Sequence, residues 1–438
     1  MRSTILISSL IFALLSQSGS AQEERQLRPP RPDDRNDRPP GPGRQGGGYN
    51  LEQATSDRAQ LNTIAFNGLA FLTGDRGAAS FIPPGKVADF FGFQYMRDVD
   101  AAGKGHNPMF LDRIAGNVMR LLTDAQRATF MAEARNEAVK LESLARMRLP
   151  LVAAFYQECS GDLPMGCRGL NLAAVQAYGA DLFEADAALA WHRARIFASV
   201  AKSLSQDQRR TLGRWRFGDF RSWPEVDRDT FREFNPQAHS KLESVAFMTL
   251  ASEFFSWVAG SVEADTYFCP ERHGTYFGGF YLKDMPAMGQ KNFDISTALT
   301  GDSGAAFLDA LKPAQRARLT RVIEEQRNAL QGIVAVRRAM ALRLRSFLTG
   351  TGPTEAELRT LGREYGRLDG ELAFLYATAF RDIARTMDGP QKARLQALRG
   401  QPCQEQGSGF LYSDRIPMPR WPDTSFLLGD ARQPTARP

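Results

Sequence analysis

Residues 179–208, GADLFEADAALAWHRARIFASVAKSLSQDQ, decide the reading of this chain, because residues 362–391, GREYGRLDGELAFLYATAFRDIARTMDGPQ, follow the same pattern 183 positions later. Gly179 pairs with Gly362, Asp186 with Asp369, Leu189 with Leu372, Phe197 with Phe380 and Gln208 with Gln391. Upstream, Val175, Leu182, Leu189 and Ile196 fall seven apart, as do Leu361, Leu368 and Leu375. That spacing puts an apolar seam along one face of a long helix. Working outward, Gln126-Arg127-Ala128 matches Gln315-Arg316-Ala317, and Arg148 meets Arg337, at an offset of 189. Phe91 to Asp98 matches Phe277 to Asp284 at 186. Order is kept and the offsets drift by a few residues, which reads as a tandem duplication with halves at 49–225 and 226–412.

The stretches 123–158 and 313–349 are rich in Ala, Arg, Leu, Glu and Gln and extend the helical reading, with Pro150 marking a kink or break in the first. Gly/Pro-rich joints occupy 160–170 and Gly350-Thr351-Gly352-Pro353. The expected fold is all-α: two quasi-repeated helical modules, each an antiparallel pair of long helices closed by a short turn, with Gly/aromatic segments between. No alternating β pattern of useful length appears.

Four helix starts share one form: Leu122-Thr123-Asp124-Ala125-Gln126, Leu204-Ser205-Gln206-Asp207-Gln208, Leu311-Lys312-Pro313-Ala314-Gln315 and Met387-Asp388-Gly389-Pro390-Gln391. Thr123, Ser205 and Asp388 are expected to cap the helix, while Gln126, Gln208, Gln315 and Gln391 reach back to the cap amide. Lys312 lacks an acceptor, but Pro313 suits a first helical position. These segments resemble the LTxxQ motif of the Spy/CpxP-type periplasmic proteins, with Leu122–Gln126 fitting the motif fully. Members of that family are small, all-α and exported, carry the motif twice per subunit, and include ATP-independent chaperones and metal-response proteins. The resemblance implies an exported helical relative whose partners are unfolded or envelope proteins. The segments 84–107 and 260–293 have no counterpart in the small members.

The ends agree with export. Residues 1–21 read as a signal peptide, with Arg2 as the basic start, an apolar run from Ile5 to Leu15 and Gly19-Ser20-Ala21 as the cleavage site. The expected location is periplasmic or extracellular, soluble after cleavage, since no later stretch is long and uncharged enough to span a membrane. Residues 22–48 read as a disordered Pro/Gly/Arg linker, and 413–438 as an extended Pro-rich tail. The G-x-G-x-x-G at 41–46 has neither a strand before it nor a helix after it. A net charge of +6 over 438 residues is no nucleic-acid footprint.

Four cysteines in an exported chain favour two disulfides, the simplest pairing being Cys159–Cys167 and Cys269–Cys403. The densest polar cluster, 261–277, holds Glu263, Asp265, Cys269 and His273, a weak metal set against a disulfide-tied joint. The duplicated Tyr95, Arg97, Asp98 and Tyr281, Lys283, Asp284 suit either a polar ligand bound twice or ties within the fold. Gly301-Asp302-Ser303-Gly304 resembles a protease nucleophile segment but is ordinary turn chemistry. No catalytic constellation emerges and no cofactor is expected, since H-E-x-x-H, G-x-S-x-G, C-x-x-C-H and the P-loop pattern are all missing from the sequence. The leading expectation is a non-enzymatic binding or chaperone-like protein. The alternatives are a ligand- or metal-using protein with a site near Asp265–Asp284, and a structural envelope component.

Overall fold

The computed structural model describes residues 56–73, 86–88, 94–97, 108–215, 223–226, 241–260, 262–266, 300–399, 408–411, 414–417 and 422–430. The stretches 1–21 and 22–48, read from the sequence as a signal peptide and a linker, lie outside the described residues, as do Asp98, Cys269, His273, Tyr281, Lys283, Asp284 and Cys403. Helices dominate, as the apolar seams require. They are α1 (Asp57–Thr73), α2 (Pro108–Leu121), α3 (Asp124–Met147), α4 (Leu149–Ser160), α5 (Leu172–Ser203) and α6 (Gln206–Arg214), followed by α7 (Lys241–Ala259), α8 (Val262–Thr266), α9 (Thr300–Ala310), α10 (Pro313–Thr349), α11 (Glu355–Ala384) and α12 (Gly389–Arg399).

Pro150 sits in the first turn of α4, so the stretch 123–158 is split after Met147. A proline is accommodated in a helix's opening turn, where its missing N–H has no bond to lose. The joint that follows turns on Gly161, Gly166 and Gly169, all at positive φ. The second half has no such break, and α10 runs unbroken into a shorter turn at Gly352 (φ 73°). The Gly301–Gly304 stretch lies within α9.

The chain from Gly48 to Pro438 packs as one compact unit, not as two separate modules. The reason is an exchange of helices. From the first half, α1 packs on α9, α10, α11 and α12 of the second; α7, from the second half, packs on α2, α3, α5 and α6 of the first. The buried apolar core is continuous, and its two regions, a first core and a second core, are each completed by a helix from the other half.

Between them, α5 and α11 make the most extensive helix contact. They run antiparallel at glycine distance: a Cβ built on Gly366 would stand 2.0 Å from the Gly179 carbonyl oxygen, and one on Gly362 would stand 2.6 Å from that of Phe183. In the 183 offset Gly179 answers to Gly362 and Phe183 to Gly366, so the contacts exchange as they do across a two-fold axis. This approach also turns the α11 seam. Leu358, Tyr365 and Leu372 are fully buried, whereas two of the expected seam residues, Leu361 and Leu375, are half-buried.

Short strands supplement the helices, which the sequence reading did not anticipate. β1 (Lys86–Ala88), β2 (Gln94–Arg97), β4 (Ser408–Leu411) and β5 (Asp414–Pro417) form one antiparallel sheet in the order β1-β2-β4-β5. β3 (Cys167–Leu170) pairs with β6 (Leu428–Asp430), so the C-terminal arm docks on the first half. Leu427 is fully buried there, its carbonyl accepts from the Asn171 N–H at 2.9 Å, and the Phe426 ring meets that of Tyr178 at 5.4 Å in a tilted contact.

Candidate functional site

The motif glutamines do more than cap. Thr123 and Ser205 form full capping boxes: the Gln126 and Gln208 amides donate to their hydroxyls at 3.3 and 3.2 Å, and the cap amides donate back to the glutamine Oε1 atoms. Asp388 and Gln391 do the same. At Lys312 the reach-back bond from its amide to Gln315 Oε1 (2.8 Å) stands, and the ammonium instead pairs with Asp388 at 2.9 Å.

The glutamines then interlock in pairs. Gln208 Nε2 donates to Gln126 Oε1 (2.9 Å) and to the Leu121 carbonyl (2.7 Å), tying the start of α6 to the α2–α3 turn. Gln391 Nε2 donates to Gln315 Oε1 (2.8 Å) and to the Ala310 carbonyl (2.9 Å), tying α12 to the α9–α10 turn. The spare Nε2 proton of Gln126 reaches Ser203 Oγ (2.9 Å) and that of Gln315 reaches Thr386 Oγ1 (3.0 Å). All four glutamines are buried, and each bond removes a penalty for hiding an amide. Their role in these joints is structural.

Each exchanged helix is anchored by a buried polar triad, and the two triads differ in chemistry. In the first core Arg193 of α5 is fully buried between two glutamates. It meets Glu137 of α3 through Nε and Nη2 at 2.8 Å each, and Glu253 of α7 through Nη1 at 2.9 and 3.0 Å. In the second core the 183 offset puts Tyr376 in place of Arg193, and the 189 offset puts Gln326 in place of Glu137. The Tyr376 hydroxyl donates to Gln326 Oε1, and Gln326 Nε2 donates to Gln60 Oε1 of α1 at 3.1 Å. Here every member is neutral, and burial pushes the Tyr376 hydroxyl far above its ordinary range.

A third cluster lies along the α5–α11 contact. Arg148 and Arg337 are each 1% exposed, over the rings of Phe183 (5.6 Å) and Tyr365 (5.4 Å) respectively. Asp369 is buried against both arginines. Desolvation holds its carboxyl well above the usual range, with the two guanidiniums opposing, and its Oδ1 accepts no hydrogen bond among the described residues.

Of the candidate ligands, Tyr95, Arg97, Glu263 and Asp265 lie among the described residues. Asp265 is committed elsewhere: Arg345 grips its carboxylate from Nε and from Nη2 (3.1 Å), and its carbonyl accepts from Arg337 Nη2 at 2.8 Å. Glu263 is on the same short helix α8. Among the described residues no group of three His, Cys, Asp or Glu could hold a metal. Tyr95 and Arg97 lie on β2, where Arg97 pairs in register with Lys86 and Phe410.

The expected Cys159–Cys167 bridge is not formed; both are free thiols. Cys167 opens β3, whose pairing is with the tail at Asp430, while Cys159 ends α4 in surroundings whose burial pushes its thiol up to about 11. His192 of α5 lies 3.9 Å from Glu355 of α11, beside Trp191, whose indole donates to the Pro353 carbonyl at 2.9 Å. Burial lowers the His192 pKa, helped by Lys140.

Sequence reasoning missed Glu137, Arg193 and Glu253 as a set. Their signal was a charge placed in phase with an apolar seam, Arg193 standing four residues after Leu189 and four before Phe197. Comparison of the chain with protein-family models, with curated proteins and with solved structures finds no match.

Proposed function

We propose that this chain is an exported, non-enzymatic helical protein that holds unfolded or envelope proteins without ATP, built as two fused copies of a two-motif unit. The observation that carries this reading is the pairing of the motif glutamines. Gln126 meets Gln208 and Gln315 meets Gln391, so each half uses its two LTxxQ-like starts as one joint, in keeping with a family that carries two motifs per subunit. A surface feature agrees with it. Met165, Leu172 and Phe426 are exposed apolar side chains around the joint where β3 meets β6, an arrangement suited to contact with apolar segments of a client.

Aggregation of a chemically denatured client, followed by light scattering without nucleotide, tests the proposal. Suppression at equimolar ratio that weakens in the Leu172→Ser/Phe426→Ser variant is the expected result. No protection at several-fold molar excess of the chain would remove the reading. The metal-using alternative gains no support at Asp265, whose carboxylate is occupied by Arg345.

A further inference from the structure

The two polar triads differ in access as well as charge. Gln60 and Gln326, 1% and 0% exposed, line a partly open cavity of about 290 Å³ between the start of α1 and one face of α10. The other lining residues are Ser56, Asp57, Ile323, Arg327, Leu330 and Gln331. The floor is therefore a pair of amides held in fixed orientation, since Gln326 is locked by Tyr376 from behind and by Gln60 from the side. Ile323 and Leu330 supply apolar lining. Asp57 and Arg327 are joined by an ion pair of 3.1 Å, with side chains 61% and 39% exposed.

Arg327 spends Nε and Nη2 on Glu324 and Asp57, and Nη1 has no hydrogen bond among the described residues. Asp57 uses Oδ1 toward Arg327, and Oδ2 has no hydrogen bond among the described residues. Opposite charges thus stand side by side above fixed amide donors and acceptors. A carboxylate suits Nη1 and an ammonium suits Oδ2 without breaking the existing pair. We infer that this cavity binds a small zwitterion of the free α-amino-acid class, its two charges on Arg327 and Asp57 and its side chain directed at Gln60, Gln326 and Gln331. The volume, at the small end of ligand pockets, fits a molecule of that size and excludes a folded partner. The inference is independent of client holding.

Isothermal titration of the full chain with the twenty free amino acids is the experiment, with acetate and ethylammonium as single-charge controls. Expected is saturable binding of one or a few polar amino acids, with each control at least about tenfold weaker. Arg327→Gln and Asp57→Asn, both surface changes, should each weaken binding about tenfold while leaving the thermal midpoint of the unliganded protein in place. Absence of binding by every amino acid at 10-millimolar order overturns the inference, as does binding that both variants retain. Binding of ethylammonium as tight as that of the amino acid would make the site a cation site and equally overturn it.

Discussion

The two cores solve one packing problem with opposite chemistry. Each must fix a helix donated by the other half, and each does so through a polar triad sunk in apolar side chains. In the first core the fastening is ionic, Glu137–Arg193–Glu253; in the second it is neutral, Gln326–Tyr376–Gln60. An ionic triad has stringent geometry, because a displaced partner leaves a buried charge, while a neutral one forgives more. The comparison teaches that positions paired by the sequence offsets share a role, helix anchoring, while the side chains that fill it differ.

The largest expected effect comes from breaking the ionic triad. Arg193→Met leaves two carboxylates buried without their guanidinium and should cost about 3–5 kcal/mol. Tyr376→Phe in the other core removes one neutral bond and should cost about 1–3 kcal/mol. Urea denaturation compares the two costs, read by tryptophan fluorescence to which Trp215, Trp223 and Trp257 in the first core and Trp191 against Phe347 of α10 all contribute. Equal costs would break the contrast between the cores.

The boundary between the cores comes next. Gly366→Ala would put a methyl 2.0 Å from the Gly179 carbonyl oxygen, and helix backbones cannot both stay in place. A loss of about 1–3 kcal/mol is expected, with a matching loss for Gly179→Ala, whose Cβ meets the Gly366 oxygen at 2.5 Å. Thermal melts of Gly179→Ala and Gly362→Ala, whose Cβ atoms would stand 2.5 Å from the Gly366 oxygen and 2.6 Å from the Phe183 oxygen, should agree if the contact is related by a two-fold axis. A tolerated alanine at either position would argue against the close approach.

The motif joints sharpen the comparison from the side of similarity. Gln208→Ala and Gln391→Ala each leave a carbonyl and a partner glutamine short of a bond, and each should cost about 1–2 kcal/mol. The two values should agree within about 0.5 kcal/mol, measured by denaturant midpoint, because the bonding is the same in both halves.

The smallest effect is one of reactivity. The first half's joint carries Cys159 and Cys167 where the second has a glycine turn. With burial raising its thiol to about 11, Cys159 is almost wholly protonated at pH 8, so native alkylation there should be far slower than in denaturant. Mass mapping of labelled peptides checks this, and finding Cys159 and Cys167 joined by a disulfide would contradict the structure.

Much of the fold was legible because helices announce themselves locally. The glutamine starts were readable since a capping box closes within four residues, and Thr123, Ser205 and Asp388 fill it as their chemistry requires. A further capping box at Thr354 and Glu357 escaped notice because it ends in Glu rather than in the repeated Gln. The candidate cavity was not legible at all. Gln60 and Gln326 are far apart in sequence and look like ordinary polar positions until α1 is laid on α10.

By itself the sequence determined that the chain is built of long amphipathic helices, where Pro150 splits one of them, and that pattern and motif recur at offsets near 186. These follow from periodicity, propensity and capping, all of which act over a few neighbouring residues. Tertiary structure alone decided that α1 and α7 cross to the opposite half, that the tail docks on β3 as a strand, and that Arg193 and Tyr376 anchor equivalent helices with unlike chemistry. Short-range patterns set which face of a helix is apolar, but not which of two similar partners covers it. That choice rests on the buried groups each core must satisfy, Glu253 against Arg193 in one and Gln60 against Gln326 in the other, and those bonds exist only once the helices are assembled.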